Sequence, residues 1–202
     1  MCLQRSRESG LTNRCSAAER APARFWVDYE EPFACKLLAA ILRYHFRLQG
    51  VNSRPAVLLC LGTDRLTGDA LGPLVGTKVS AAHDRPYSVY GTLAEPVHAL
   101  NLREKLQEIY RLYKNPFVVA VDASLGNHRN VGVISVGTGP VHPGTGLKKS
   151  LPRLGNLHII GVVNQGGVKE LQNTRLQVVM SQAEVIASAL LHAAQEILSP
   201  KS

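Results

Sequence analysis

Cysteine is scarce in this chain and never paired in sequence. Cys2, Cys15, Cys35 and Cys60 form no CxxC, and no histidine stands near them at zinc spacing. That excludes a finger- or ribbon-type metal site and offers no disulfide framework. Aromatic residues are also few, at 5% of 202 residues with a single Trp. No block of Lys or Arg is interleaved with aromatics, so direct nucleic-acid binding through stacked bases is not expected. No apolar run approaches the roughly 20 residues of a membrane span. The first residues, MCLQRSRESGLTNRCSAAER, lack the apolar centre of a signal peptide. These features together predict a reduced, cytoplasmic setting with no membrane partner. GxSxG, GxxxxGK[ST], GxGxxG and HExxH are all missing. Nothing therefore points to a serine nucleophile elbow, a P-loop, a dinucleotide fingerprint or a zinc-protease helix.

What is present is an ordinary globular composition, 45% hydrophobic and 19% charged. The formal charge is +8, and half of it arises from nine Lys/Arg against five Asp/Glu in residues 1–54. Such a diffuse excess serves solubility. Residues 1–24 show no hydrophobic period and read as a flexible tail, leaving residues 25–202 as one domain.

The central stretch is AVLLCLGTDRLTGDALGPLVGTKV, residues 56–79. Its apolar run suits a strand covered on both faces. Gly62 ends the run, Gly68 eases the loop, and a helix follows Asp69. Asp69 has two readings there. It is a helix N-cap, or it is a functional carboxylate at the carboxyl end of a sheet strand, where open α/β sheets place their sites.

Around this stretch the pattern predicts a helix over 30–48, with His45 on one of its faces, and a linker over 50–55. It predicts a weak strand over 87–90, a helix over 97–113 and a second buried strand over 117–121 that ends at Asp122. Further strands are predicted over 131–136 and 157–163, and a long helix over 174–198, with Val178, Ala183, Ile186, Ala187, Leu190 and Ala194 on its apolar face. Residues 137–156 hold many Gly, Pro and Lys and read as a functional loop. Alternating strands and helices argue for an α/β fold: a three-layer α/β/α sandwich on a mostly parallel sheet, of the phosphorylase/hydrolase type.

Only five aspartates occur, and two of them, Asp69 and Asp122, stand at or beyond the ends of the two most hydrophobic predicted strands. If those strands are parallel neighbours, both carboxyls emerge at one edge of the sheet. Close carboxyls cannot both ionise easily, so one keeps a proton while the other activates water. Such a pair hydrolyses a peptide bond without metal or cofactor. In the loop, Gly137, Gly139, Gly144 and Gly146 either make turns or cradle an anion. Lys148 and Lys149 read as solvated. His142 is a candidate to reach the site, and His158 sits within a strand.

The segments LGTDRLTGDALGP at 61–73, VVAVDASLG at 118–126 and VHPGTGLKKSLPRLG at 141–155 resemble the spore germination protease superfamily, and within it the short, single-domain YyaC-type sporulation proteins. The resemblance spans residues 55–197, with GDALGP its most specific part. It implies an α/β/α sandwich and an aspartate-type endopeptidase whose essential aspartates match Asp69 and Asp122. The implied substrate is protein, the small acid-soluble spore proteins, and the implied location is the mother cell, forespore or spore core. Thr67, Gly68 and Gly72 would shape the loop around Asp69. Ser124, His142, Gly144 and Thr145 would shape the site or orient substrate. A homo-oligomer is compatible with this reading. The chain is shorter than the germination protease and lacks its additional regions. A second reading is a non-catalytic sporulation protein that binds a partner through the same fold. A more distant resemblance is to the hydrogenase maturation endopeptidases, in which a carboxylate pair and a downstream His bind nickel in the partner protein. Here Asp69 replaces their usual Glu, and His142 and His158 are the candidate histidines.

Overall fold

A computed structural model describes residues 24–141, 152 and 154–197. Six strands form one sheet: β1 (Arg24–Asp28), β2 (Ala56–Cys60), β3 (Ser88–Tyr90), β4 (Phe117–Gly126), β5 (Val133–Thr138) and β6 (Leu157–Gln165). Their spatial order is β1-β5-β6-β4-β2-β3. β6, β4, β2 and β3 run parallel, while β5 is antiparallel to both of its neighbours. The expected mostly parallel α/β sheet is therefore present, with helices on both faces.

The two faces are covered unequally. Helices α1 (Ala34–Leu48), α2 (Leu71–Ser80) and α4 (Leu176–Ile197) share one face. Leu58, Cys60, Val119, Val121, Leu157 and Ile159 point into the core beneath them. The opposite face is packed by α3 (Leu102–Leu112), whose Leu102, Leu106 and Ile109 meet Val57, Leu59, Val118 and Ala120. Both strand faces are apolar over 56–60 and 117–121, which is why those runs show no alternation.

Close backbone approach explains the glycines of the central stretch. A Cβ on Gly72 would run into the backbone of Leu61, and one on Gly76 into the carbonyl of Gly91. Only glycine lets α2 lie this near the ends of β2 and β3.

Several expectations need correcting. Arg24, assigned to the tail, opens β1, whose first residues pair with β5; the rest of the tail lies outside the described residues. The first helix begins at Ala34 rather than residue 30, because Asp28 to Glu31 form a turn in which the Asp28 side chain and carbonyl accept the Glu30 and Glu31 N–H groups. The helix expected over 97–113 begins only at Leu102. Residues before it are held otherwise: Val97 bridges Leu61 in parallel, and the Asn101 carboxamide accepts the His98 N–H at 2.8 Å. Asp122 does not end its strand, since β6 continues to pair with β4 as far as Gly126. In α4 it is Val179 that is fully buried, whereas Val178 is half-exposed. Contrary to the sequence expectation, Leu176–Glu196 is long and apolar enough to cross a membrane by length and composition. Its apolar side is buried against α1, α2 and the sheet core.

Candidate active site at the carboxyl ends of β2 and β4

β2 and β4 are adjacent and parallel, with Cys60 beside Val121. The chain leaving β2 and the chain continuing β4 therefore rise at the same edge of the sheet. After Leu61, Gly62 takes a φ of 131° that other residues rarely adopt, turning the chain into the loop. The loop closes where the Thr63 N–H donates to the Asp69 carbonyl at 3.1 Å. Asp69 lies in one turn of 3-10 helix, Thr67–Ala70, which leads directly into α2. Ala70 occupies the position before α2, and no side chain caps that helix. The cap reading of Asp69 is not what the structure shows.

Asp122 shares its register position with Ile160 and lies two residues beyond Ala120, on the face that carries α3. Its Oδ1 accepts its neighbour Ala123's N–H at 2.9 Å. Burial and the nearby charge of Asp69 push the Asp122 carboxyl up to about 7, despite that hydrogen bond. The Asp69 carboxyl is also raised by burial, but the backbone N–H of Thr63 and attraction to His98 pull the other way. The two environments thus separate two like groups. Burial raises both carboxyls, but Thr63 and His98 draw Asp69 part of the way back, while Asp122 holds its proton up to about 7.

The sequence reading missed His98, because helical periodicity absorbed it into the helix expected over 97–113. The Leu100 N–H lies 3.3 Å from its Nδ1. The Val97–Leu61 bridge, with the Gly62 N–H donating to the Val97 carbonyl at 2.8 Å, sets His98 beside the loop of Asp69. The signal available in sequence was Pro-Val-His-Ala-Leu-Asn: a proline followed by an Asn whose side chain bonds back to the Pro96 carbonyl and the His98 N–H ahead of the helix.

Thr67 begins the 3-10 turn and is half-exposed. Gly68 is needed for packing rather than for an unusual φ: a Cβ there would meet Thr174 Oγ1 at 2.7 Å and Leu171 Cδ2 at 2.8 Å. Gly72 holds α2 against Leu61. Ser124 follows Asp122 on the same strand face, where the register with β6 shifts after it. His142, Gly144, Thr145, Lys148 and Lys149 lie outside the described residues. His158 is buried in β6, its ring against Gly137 and its Nδ1 3.0 Å from the Gly139 carbonyl. Among the described residues no three His, Cys, Asp or Glu side chains cluster closely enough to hold a metal ion.

The family model described as "Protein of unknown function (DUF1256)" matches residues 26–189. The chain belongs to the DUF1256 family. It is 45% identical over 188 residues to a Bacillus subtilis (strain 168) protein titled "Uncharacterized protein YyaC", a match that covers 92% of this chain and 88% of that protein. The match runs through both aspartates, so the site lies within the shared domain and not in an appended segment.

Proposed function

We propose that this DUF1256 protein is an aspartate-type endopeptidase acting on protein substrate during sporulation, with Asp69 and Asp122 as its dyad. The observation that carries the reading is that adjacent, parallel β2 and β4 deliver Asp69 and Asp122 to one edge of the sheet, where burial and the charge of Asp69 push Asp122 up to about 7. The resemblance to germination proteases adds the substrate class, the small acid-soluble spore proteins.

Ionised Asp69 takes a proton from a water molecule, and the water oxygen attacks the scissile carbonyl carbon. Asp122 donates its proton to the carbonyl oxygen, giving a neutral tetrahedral diol. Collapse of the diol breaks the C–N bond; the leaving nitrogen takes a proton from Asp69, and Asp122 regains its own from the diol. Every proton is accounted for by the two carboxyls and one water. The pair titrates as a unit. Activity requires one proton on it, so the rate falls at acid pH as Asp69 is protonated and falls again above about 7 as Asp122 ionises.

The test is incubation of the purified chain with small acid-soluble spore proteins between mildly acidic and weakly alkaline pH, beside Asp69→Asn and Asp122→Asn. Cleavage by the wild type alone, with an alkaline limb near 7, is the expected result. No cleavage by the wild type, or equal cleavage by either variant, overturns the proposal.

A further inference from the structure

Far from the carboxylate pair, the outer face of α1 carries an apolar stripe left largely open among the described residues, its Tyr44 ring resting edge-on against Phe25 with the centroids 6.0 Å apart. Phe33, Leu37, Tyr44 and Leu48 are 69%, 49%, 49% and 65% exposed, and Ala40 between them is exposed as well. At 100° per residue these five fall within one narrow arc of the helix. Leu38, Leu42, His45 and Phe46 point the opposite way and are buried. Core packing therefore already accounts for the other face of α1. The stripe exposes on the order of 400 Å² of apolar side chain, comparable with the largest patch on an ordinary monomer.

Its borders are basic on one side. Lys36 and Arg47 are exposed and have no acidic partner among the described residues, Lys36 lying 5.6 Å from the Phe33 ring centroid. Arg43, between them, is paired with Glu196 at 3.0 Å. We propose that this face of α1 is a docking seam for an acidic amphipathic helix of a partner protein, laid against Phe33, Leu37, Tyr44 and Leu48 with its carboxylates toward Lys36 and Arg47.

Charge selects this occupant over the others. A second copy packed antiparallel about Ala40 brings Lys36 of each copy to the Arg43–Arg47 side of the other, placing cation against cation. The chain's own residues 1–23 carry four Arg against two Glu, again the wrong sign. A helix lying in an anionic membrane gains from cations along both borders, and here only one border has them.

The experiment uses the full chain and a fluorescent 18-residue probe peptide, helical by design, with Leu at i, i+3, i+4 and i+7 spacing and Glu at its remaining exposed positions. A second probe carries Lys in place of each Glu. Anisotropy titration should show saturable binding of the Glu probe, at least tenfold weaker binding of the Lys probe, and at least tenfold loss with Leu37→Arg or Leu48→Arg. Circular dichroism of these surface variants should match the wild type. Equal binding of the two probes, or unchanged binding by a folded Leu37→Arg variant, overturns the proposal. So does any of three competing outcomes: a dimer by light scattering that Leu37→Arg dissociates, amide protection of α1 that disappears when residues 1–23 are removed, or sedimentation with anionic phospholipid vesicles that Leu37→Arg abolishes. Peptide hydrolysis is not read in any arm, so failure here leaves the catalytic proposal untouched.

Discussion

The two faces of the sheet have been built for different tasks. Under α1, α2 and α4 the strands present Leu58, Val119, Val121 and Ile159, and the interior is continuous and apolar. On the other face α3 covers β2 and β4, and beyond its cover the same face carries Asp122 and Ser124. One residue step along β4, from Val121 to Asp122, exchanges a fully buried valine for a residue that keeps some exposure while its carboxyl is desolvated. The heavily covered face supplies rigidity. The lightly covered face supplies a position where a carboxyl is desolvated enough to hold its proton, which the proposed mechanism requires of Asp122.

The sharpest way to break this contrast is Asp122→Asn. Hydrolysis should fall by roughly a thousandfold, as expected when a proton-transfer partner is removed, measured by product formation at pH 6. The same change should stabilise the protein above neutrality. The folded-state pKa of Asp122 is raised, so its contribution to stability is present at low pH and is lost as pH rises through about 7. Thermal melts at pH 8 should place the variant above the wild type. A variant that is less stable at pH 8 would contradict the burial of this carboxyl.

Gly76→Ala tests the covered face. The new Cβ meets the Gly91 carbonyl, which is backbone and cannot swing aside. Destabilisation of about 3 kcal/mol is expected, read from urea midpoints. A neutral outcome would mean that α2 is free to slide away from the sheet.

His98→Ala should have a smaller effect, about tenfold on rate, with a distinctive pH signature. Attraction to His98 lowers the Asp69 pKa, so its removal should move the acid limb of the rate profile to higher pH. Loss of rate with an unmoved limb would reduce His98 to a structural role.

The smallest effect belongs to His45, buried on the covered face against Phe25 and Tyr44, with no hydrogen-bond partner on either ring nitrogen among the described residues. Burial lowers its pKa. The unfolded chain then takes up the proton first, and stability is lost as pH falls below about 6.5. His45→Leu should flatten the melting temperature between pH 7 and pH 5. An unchanged slope would place the acid sensitivity elsewhere.

Much of the fold could be read directly. The unbroken apolar runs at 56–61 and 117–121 imply strands covered on both faces, and they are adjacent and parallel as such strands tend to be. The short edge strand β1 escaped notice because the expected tail took in Arg24 and the remaining four residues, Phe25 to Asp28, are too few to show a strand period. The beginning of α3 was overrun because Val97 and Ala99 fit a helical period, while the Val97–Leu61 bridge that removes them from the helix is a long-range contact. The same contact hid His98. Asp69 and Asp122 were legible because the chain has so few aspartates and these two follow hydrophobic runs.

The amino-acid sequence by itself determined the alternation of strands and helices, the identity of the two carboxyls, and the glycines that allow α2 to approach β2. Those are local matters of periodicity, side-chain type and backbone freedom. Tertiary structure alone decided that the carboxyls differ. How far each is desolvated, and which one has Thr63 and His98 for neighbours, depends on what surrounds each group. The strands and loops that surround them lie far apart along the chain.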